Sequence, residues 1–88
     1  SGNCSLYKNG SRYLTRSTSG SSSGTLTTGD TFYVTVNAAT TYYKGITITS
    51  SVRGELYNFQ FSKTDTTLAS PTFTKEGSEE ITIDCRTD

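Results

Sequence analysis

Apolar and polar residues alternate along most of this chain, as they do in β-strands that bury one face. The clearest run is TFYVTV, in which Phe32, Val34 and Val36 alternate with Tyr33 and Thr35. No segment shows the 3.6-residue period of an amphipathic helix. The pattern therefore predicts an all-β protein with a core on one side of each strand.

The same alternation recurs in three later segments. It directs Ile46 and Ile48 toward the core, and likewise Ile81, Ile83 and Cys85, and it places Tyr57, Phe59 and Phe61 on one face of their strand. Turn-forming pairs separate the runs at Gly29-Asp30, Arg53-Gly54 and Glu76-Gly77. Pro71 indicates an edge strand or an irregular strand start. About seven short strands result, which predicts a small antiparallel β-sandwich, with a small β-barrel as the alternative.

Asn9-Gly10 lies between two alternating runs, which is the strongest local signal for a β-hairpin. A two-residue turn places Leu6 opposite Tyr13 and Cys4 opposite Thr15. Cys4, Leu6 and Tyr13 would then share the core face. The predicted register assigns three residues to the outer face: Tyr7, Arg12 and Leu14.

Residues 16–25, RSTSGSSSGT, are small and polar and can bury almost nothing. They predict a flexible Ser/Gly-rich loop, with an O-glycosylated or partner-contacting segment as the alternative. With only 88 residues, the chain (1–88) is expected to form a single domain.

Composition limits the core and the partners. Hydrophobic residues make up 31% of the chain and the mean hydropathy is −0.49, so a thin core would need a covalent or oligomeric aid. The 8 basic and 8 acidic residues give no basic patch, which argues against nucleic acid as a partner. No apolar run is long enough to span a membrane. The chain begins at Ser1, as a trimmed chain or a processed secreted chain would.

The two cysteines lie near the two ends of the chain. Cys4 shares its alternation with Leu6, and Cys85 shares its alternation with Ile81 and Ile83, so both point to the predicted core. A Cys4–Cys85 disulfide is expected, and it implies an oxidising compartment. Two cysteines without histidine cannot form the usual four-ligand zinc site, and no Cys-x-x-Cys motif is present. Two free buried thiols remain the alternative.

The chain has no histidine, so the usual general base and the usual catalytic triads are absent. Paired carboxylates could in principle act in glycosidase chemistry, and the candidates are Asp30, Glu55, Asp65, Glu76, Glu79, Glu80, Asp84 and Asp88. Most of them are expected at turns or at outer strand positions, on a solvated surface. The segment KEGSEE lacks the dense ligand spacing of a calcium-binding loop. We expect no catalytic residues, no metal site and no cofactor, and hence a protein that is not an enzyme.

Four tyrosines are candidates for a contact patch: Tyr7, Tyr33, Tyr42 and Tyr43. Tyrosine is favoured at interfaces and against sugar rings because it joins an aromatic ring to a polar tip. The alternative is an ordinary exposed sheet surface, which tyrosine also populates. A protein contact is favoured over a carbohydrate because tryptophan is absent.

Asn3 and Asn9 each begin the acceptor pattern for N-glycosylation. Such short motifs arise often by chance in chains rich in Ser and Thr. The hairpin turn alone also accounts for Asn9. Both residues are therefore candidate glycosylation sites with a structural alternative.

The run LTTGDTFYVTV, followed by alternating strands and the closing SEEITIDC, resembles immunoglobulin-like and fibronectin type III-like modules of secreted and surface proteins. The resemblance covers about residues 25–85. It implies a sandwich that acts as a spacer, adhesive or assembly module, and it carries over no functional residue. Unlike antibody domains, the chain has no core tryptophan, and its cysteines lie at its ends.

These observations favour a non-catalytic, extracellular or cell-surface structural module, such as a surface-protein repeat or a subunit of an extracellular filament. Its expected partner is another protein or further copies of itself. The alternative is a carbohydrate- or ligand-binding module that uses the exposed tyrosines. A disulfide-stapled inhibitor or toxin is a third hypothesis, although such proteins usually have more cysteines.

Overall fold

A computed structural model describes residues 3–16, 20–23, 26–37, 44–62, 64–65 and 67–86. All the regular structure in this part of the chain is β-strand. The strands, in chain order, are β1 (Asn3–Lys8), β2 (Ser11–Arg16), β3 (Gly20–Ser23), β4 (Thr31–Asn37), β5 (Gly45–Ser50), β6 (Gly54–Gln60), β7 (Thr67–Ala69), β8 (Phe73–Thr74) and β9 (Ile81–Arg86).

The strands form two antiparallel sheets. The first has the order β2-β1-β4-β7, with β8 also paired to β4, and the second has the order β3-β9-β5-β6. Over the described residues the sheets do not close on each other, so the prediction of an all-β sandwich is confirmed and the barrel alternative is wrong. In the same residues, no helix is long and apolar enough to cross a membrane.

The core lies between the two sheets and is filled by alternate residues of their central strands. In β4 and β9 every second side chain is buried, as the alternation predicted. Each sheet contributes one apolar face to this core. The buried apolar residues are Cys4, Leu6, Leu26, Phe32, Val34, Val36, Ile46, Ile48, Ile81, Ile83 and Cys85.

The N-terminal hairpin forms as predicted, but part of its predicted register is wrong. Lys8 pairs with Ser11, and a bulge between Leu6 and Tyr7 then shifts the ladder, so that Leu6 faces Leu14. A bulge adds one residue to one strand and changes which face the following side chains occupy. Leu14, predicted on the outer face, therefore packs against the core together with Tyr13.

Residues 20–23, inside the segment predicted to be a loop, form the edge strand β3. They pair with β9, from Gly20 opposite Cys85 to Ser23 opposite Thr82. The prediction rested on side chains that bury little, whereas a β-ladder is formed by main-chain groups that every non-proline residue carries. Residues 17–19 and 24–25 of the predicted loop lie outside the described residues.

Pro71 separates the two short strands β7 and β8, both of which pair with β4 at the edge of the first sheet. The expectation of an edge strand at Pro71 is confirmed. Ser70 extends the pairing across the break. Its main-chain N–H donates to the carbonyl of Val34 at 2.8 Å, and its Oγ accepts from the Val34 N–H at 2.9 Å.

Candidate functional site

The two cysteines meet across the core. Cys4 lies in β1 of the first sheet and Cys85 in β9 of the second; their Cα atoms are 6.6 Å apart and their Sγ atoms lie within bonding distance. Both are buried, with exposed fractions of 5% and 1%. The two cysteines are 81 positions apart in sequence, so a bridge between them would join the two sheets and tie the first strand to the last.

Tyr7 and Tyr33 stack on the outer face of the first sheet. They are opposite each other in the β1–β4 ladder, with ring centroids 4.9 Å apart and ring planes 6° from parallel. Arg12 is opposite Tyr7 in the β1–β2 ladder, so its side chain leaves the sheet on the same face as the pair. Two of the four predicted tyrosines thus form one partly exposed aromatic surface. Tyr42 and Tyr43 lie outside the described residues.

Asn9 is built into the structure as a turn residue. Its φ of 52° and the φ of 86° at Gly10 are the positive values that a two-residue hairpin turn requires. Its Oδ1 accepts from the main-chain N–H of Thr31 at 2.9 Å, and its Nδ2 donates to Oδ1 of Asp30 at 2.9 Å. The amide that would carry a glycan therefore also joins the hairpin to the start of β4. Asn3, the other candidate, begins β1 opposite Asn37.

Asp30 completes this connection. Its Oδ2 accepts from the main-chain N–H of Thr27 at 2.9 Å and from the Thr27 hydroxyl at 3.1 Å. The Thr27 N–H first, and then the Asn9 amide, hold the pKa of Asp30 below its ordinary value, because both bonds favour the charged carboxylate. This carboxylate accordingly serves as a hydrogen-bond acceptor within a turn.

Glu79 is a buried carboxylate at one end of the sandwich, with 3% of its surface exposed. Arg53 donates to it from Nε at 2.8 Å and from Nη2 at 2.6 Å, Ser50 donates through its hydroxyl, and the Glu76 N–H donates at 2.7 Å. The Arg53 guanidinium, helped by Ser50 and the Glu76 N–H, lowers the pKa of Glu79 to about 2 against the cost of desolvation. The site is a charge-paired clasp between the β5–β6 turn and the segment before β9.

Part of the acidic segment KEGSEE belongs to this clasp. Arg53 also forms a salt bridge to Glu76, with Nη1 3.3 Å from Oε2. Within the described ranges, no three His, Cys, Asp or Glu side chains group together to hold a metal ion. Lys75, at the start of the segment, is buried and donates from Nζ to the Gly77 carbonyl at 2.6 Å.

The second sheet carries an aromatic row along its edge strand. Tyr57, Phe59 and the following Phe61 point to the inner face and are only partly buried. The ring centroids of Tyr57 and Phe59 are 6.3 Å apart, and those of Phe59 and Phe61 are 5.8 Å apart. Tyr57 also lies next to Phe73 of β8, with 6.5 Å between ring centroids, so the row meets the first sheet at this point.

Burial raises the pKa of Tyr57 above its ordinary value, because desolvation disfavours the charged phenolate. The sequence predicted correctly that the three rings share one face of the strand, and it left open whether this face is the inner one. It did not indicate that they lie on an edge strand, because alternation reports the face of a strand and not its place in the sheet. The surface was therefore missed, and only the order of the strands reveals it.

No protein-family model, curated protein or solved structure matches this chain significantly. The likeness to immunoglobulin-like and fibronectin type III-like modules accordingly stays a prediction.

Proposed function

We propose that the protein is a non-catalytic structural and interaction module of an extracellular or cell-surface protein. The single observation that carries the proposal is the Cys4–Cys85 pair, buried between the sheets with the two Sγ atoms within bonding distance. A disulfide in that place persists in oxidising compartments and is rare where thiols are kept reduced.

The composition of the protein supports a structural role. A chain with 31% hydrophobic residues has little core with which to resist unfolding, and a covalent bridge between the sheets compensates for that.

The hydrogen bonds of the carboxylates also support a structural role. Asp30 and Glu79, two of the candidate carboxylates, accept hydrogen bonds from turns and from Arg53 and so act as structural acceptors. The proposal therefore assigns them a structural role.

Fractionation of the cells that make the protein tests the compartment. Intact cells are treated with a membrane-impermeant protease, and the protein is followed by quantitative mass spectrometry in the secreted, surface and cytosolic fractions. The proposal expects the protein in the medium or among the surface proteins that the protease removes. Recovery of the bulk of the protein from the cytosol would refute it.

A second function, binding of a flat ring such as a sugar, is favoured by one observation: the parallel Tyr7–Tyr33 pair beside Arg12. Glycan-array binding that is lost in Tyr33→Ala and kept in the control Val52→Ala would support it. Val52 is a suitable control because its side chain is 75% exposed and lies on the β5–β6 turn. Absence of binding to any glycan by the folded wild-type protein would exclude the carbohydrate form of this hypothesis.

A further inference from the structure

The edge strand β6 has a side that no strand of the described chain covers, because the order of the second sheet ends at β6. The N–H of Phe61 donates to the carbonyl of Lys44, just before β5, at 2.8 Å. In an antiparallel ladder the bonds to one neighbour recur at every second residue. Phe59 and Tyr57 therefore bond toward β5, and the main-chain groups of Asn58 and Gln60 point to the open side.

Beyond the bulge at its start, this edge lacks the features that protect other edges from pairing. Residues 56–61, LYNFQF, contain no charged residue and no proline. Natural proteins usually place lysine, proline or an inward-pointing charge on an edge strand for protection. A bulge lies at the start of β6, where the register shifts opposite Ile48 and Thr49 of β5. Residues 57–60 lie beyond it and pair with β5 in regular register.

The other three edges formed by the described strands are different. Strand β2 carries Arg12 and Arg16, the edge made by β7 and β8 is broken by Pro71, and β3 is a four-residue run of glycine and serine. None of them combines free main-chain groups with an aromatic row. The edge of β6 is thus the one best suited to accept a further strand.

We infer that β6 pairs antiparallel with β6 of a second copy of this chain, which makes one continuous sheet from the two second sheets. The inference rests on the proposed function and names its partner. In the register with Phe59 on the two-fold axis, Asn58 lies opposite Gln60 of the second copy, and each such pair exchanges both main-chain hydrogen bonds.

The same register matches the side chains of both faces. Tyr57 lies opposite Phe61 of the second copy and Phe59 lies opposite its own equivalent, so the two aromatic rows become one. Cross-strand aromatic pairs stabilise antiparallel sheets. On the outer face the amide of Asn58 meets the amide of Gln60, and no like charges are opposed over residues 56–61. The net charge of zero also leaves no overall repulsion between copies.

Sedimentation equilibrium of the purified, oxidised protein tests the inference, with Asn58→Pro as the disrupting variant. Proline removes only the outward N–H of residue 58, and such positions of edge strands tolerate proline. The matched control is Asn58→Thr, which removes the amide side chain and its hydrogen bonds to Arg86 and Glu55 but keeps the N–H. Circular dichroism and two-dimensional NMR verify the fold of each variant.

The expected result is a dimer of wild-type protein and of Asn58→Thr, and a dissociation constant about tenfold higher or more for Asn58→Pro. A wild-type protein that is monomeric from micromolar to millimolar concentration would overturn the inference. Equal association of Asn58→Pro and wild type would overturn it as well. If Asn58→Pro does not fold, Gln60→Pro takes its place, because Gln60 also directs its N–H outward.

Hydrogen exchange of the wild-type protein gives an independent result that needs no variant. The N–H groups of Asn58 and Gln60 are expected to gain protection as the protein concentration rises, whereas those of β2 are not. Unchanged exchange at both residues would contradict the inference. A monomeric protein found oxidised outside the cell would overturn only the β6 pairing, whereas a dimeric protein found in the cytosol would overturn only the proposed function.

Discussion

Arg53 holds the buried carboxylate of Glu79 through two nitrogens, with Nε 2.8 Å from Oε1 and Nη2 2.6 Å from Oε2. Arg53 stands in the β5–β6 turn, and Glu79 stands just before β9. The same guanidinium donates to the Thr74 carbonyl at 3.1 Å, at the end of β8. One side chain thus joins a turn of the second sheet to the end of a strand of the first.

The Glu79 clasp predicts a pH dependence of stability. The pKa of Glu79 is about 2 in the folded protein and near its ordinary value of 4.5 in the unfolded chain. Between these values the unfolded state binds more protons, so the contribution of Glu79 is fully present above about pH 4.5 and is lost as the pH falls toward about 2. The urea midpoint of unfolding should fall over this window in the wild-type protein.

Glu79→Gln should flatten the fall in the urea midpoint between about pH 4.5 and pH 2, because glutamine does not titrate. The control is Glu80→Gln, since Glu80 is exposed and bonds Ser51 through main-chain groups. This control should keep the wild-type pH dependence. Equal slopes for Glu79→Gln and wild type would show that Glu79 does not carry the effect.

Reduction of the Cys4–Cys85 bridge should lower the free energy of unfolding by about 4 to 5 kcal/mol. The loop-entropy relation gives this value for a bridge that closes 81 positions of sequence. Because the whole stability of a domain of this size is about 5 to 15 kcal/mol, the reduced protein should be marginally stable. Urea unfolding of the protein in its oxidised form and in its reduced form measures the difference. Coincident unfolding curves would contradict the role assigned to the bridge.

Asn9 should contribute to stability through both its backbone and its amide. Asn9→Ala loses the bonds to Asp30 and Thr31 and places alanine at a φ of 52°, with an expected cost of about 1 to 3 kcal/mol. Asn9→Gly loses the same bonds but accepts the positive φ, so its cost should be smaller, about 1 kcal/mol. Thermal unfolding of the two variants separates these effects, and a costlier glycine variant would contradict this assignment.

Gly45 lies beneath the guanidinium of Arg86, which donates to the Thr47 hydroxyl. A Cβ at position 45 would collide with that guanidinium and would lie 2.6 Å from the Phe59 carbonyl oxygen. Gly45→Ala should therefore destabilise the protein by about 1 to 3 kcal/mol.

The double variant Gly45→Ala, Arg86→Ala separates the two collisions. It should recover only part of the loss caused by Gly45→Ala, because the Phe59 carbonyl stays in place. Denaturant unfolding of the two single variants and of the double variant measures this. Full recovery would show that Arg86 alone restricts position 45.

Much of the core could be predicted from alternation, because a strand with one buried face repeats every two residues. Phe32, Val34 and Val36 in β4 and Ile81 and Ile83 in β9 are buried as expected. The register of the first hairpin could be predicted only up to the bulge at Leu6–Tyr7. Nothing in the local sequence pattern indicates the extra residue that this bulge adds to β2.

The rest of the architecture depends on contacts between residues far apart in the sequence. Strand β3 forms because β9 supplies hydrogen-bond partners for its main chain. The sequence GSSS has no side-chain pattern that predicts a strand. The Arg53–Glu79 clasp joins residues 26 positions apart, and a turn arginine and an acidic segment do not indicate their partners from sequence. The two cysteines are the exception, since their matching alternation placed both in the core.

The intact mass of the protein from its native source, alkylated in denaturant without reductant, shows directly whether Cys4 and Cys85 are bonded to each other. Neither Cys4 nor Cys85 is expected to take up the alkylating reagent before reduction, and both should take it up after reduction, as a closed bridge requires. The same spectrum reports any glycan at Asn3 or Asn9. Labelling of both cysteines before reduction would contradict the bridge and the oxidising compartment inferred from it.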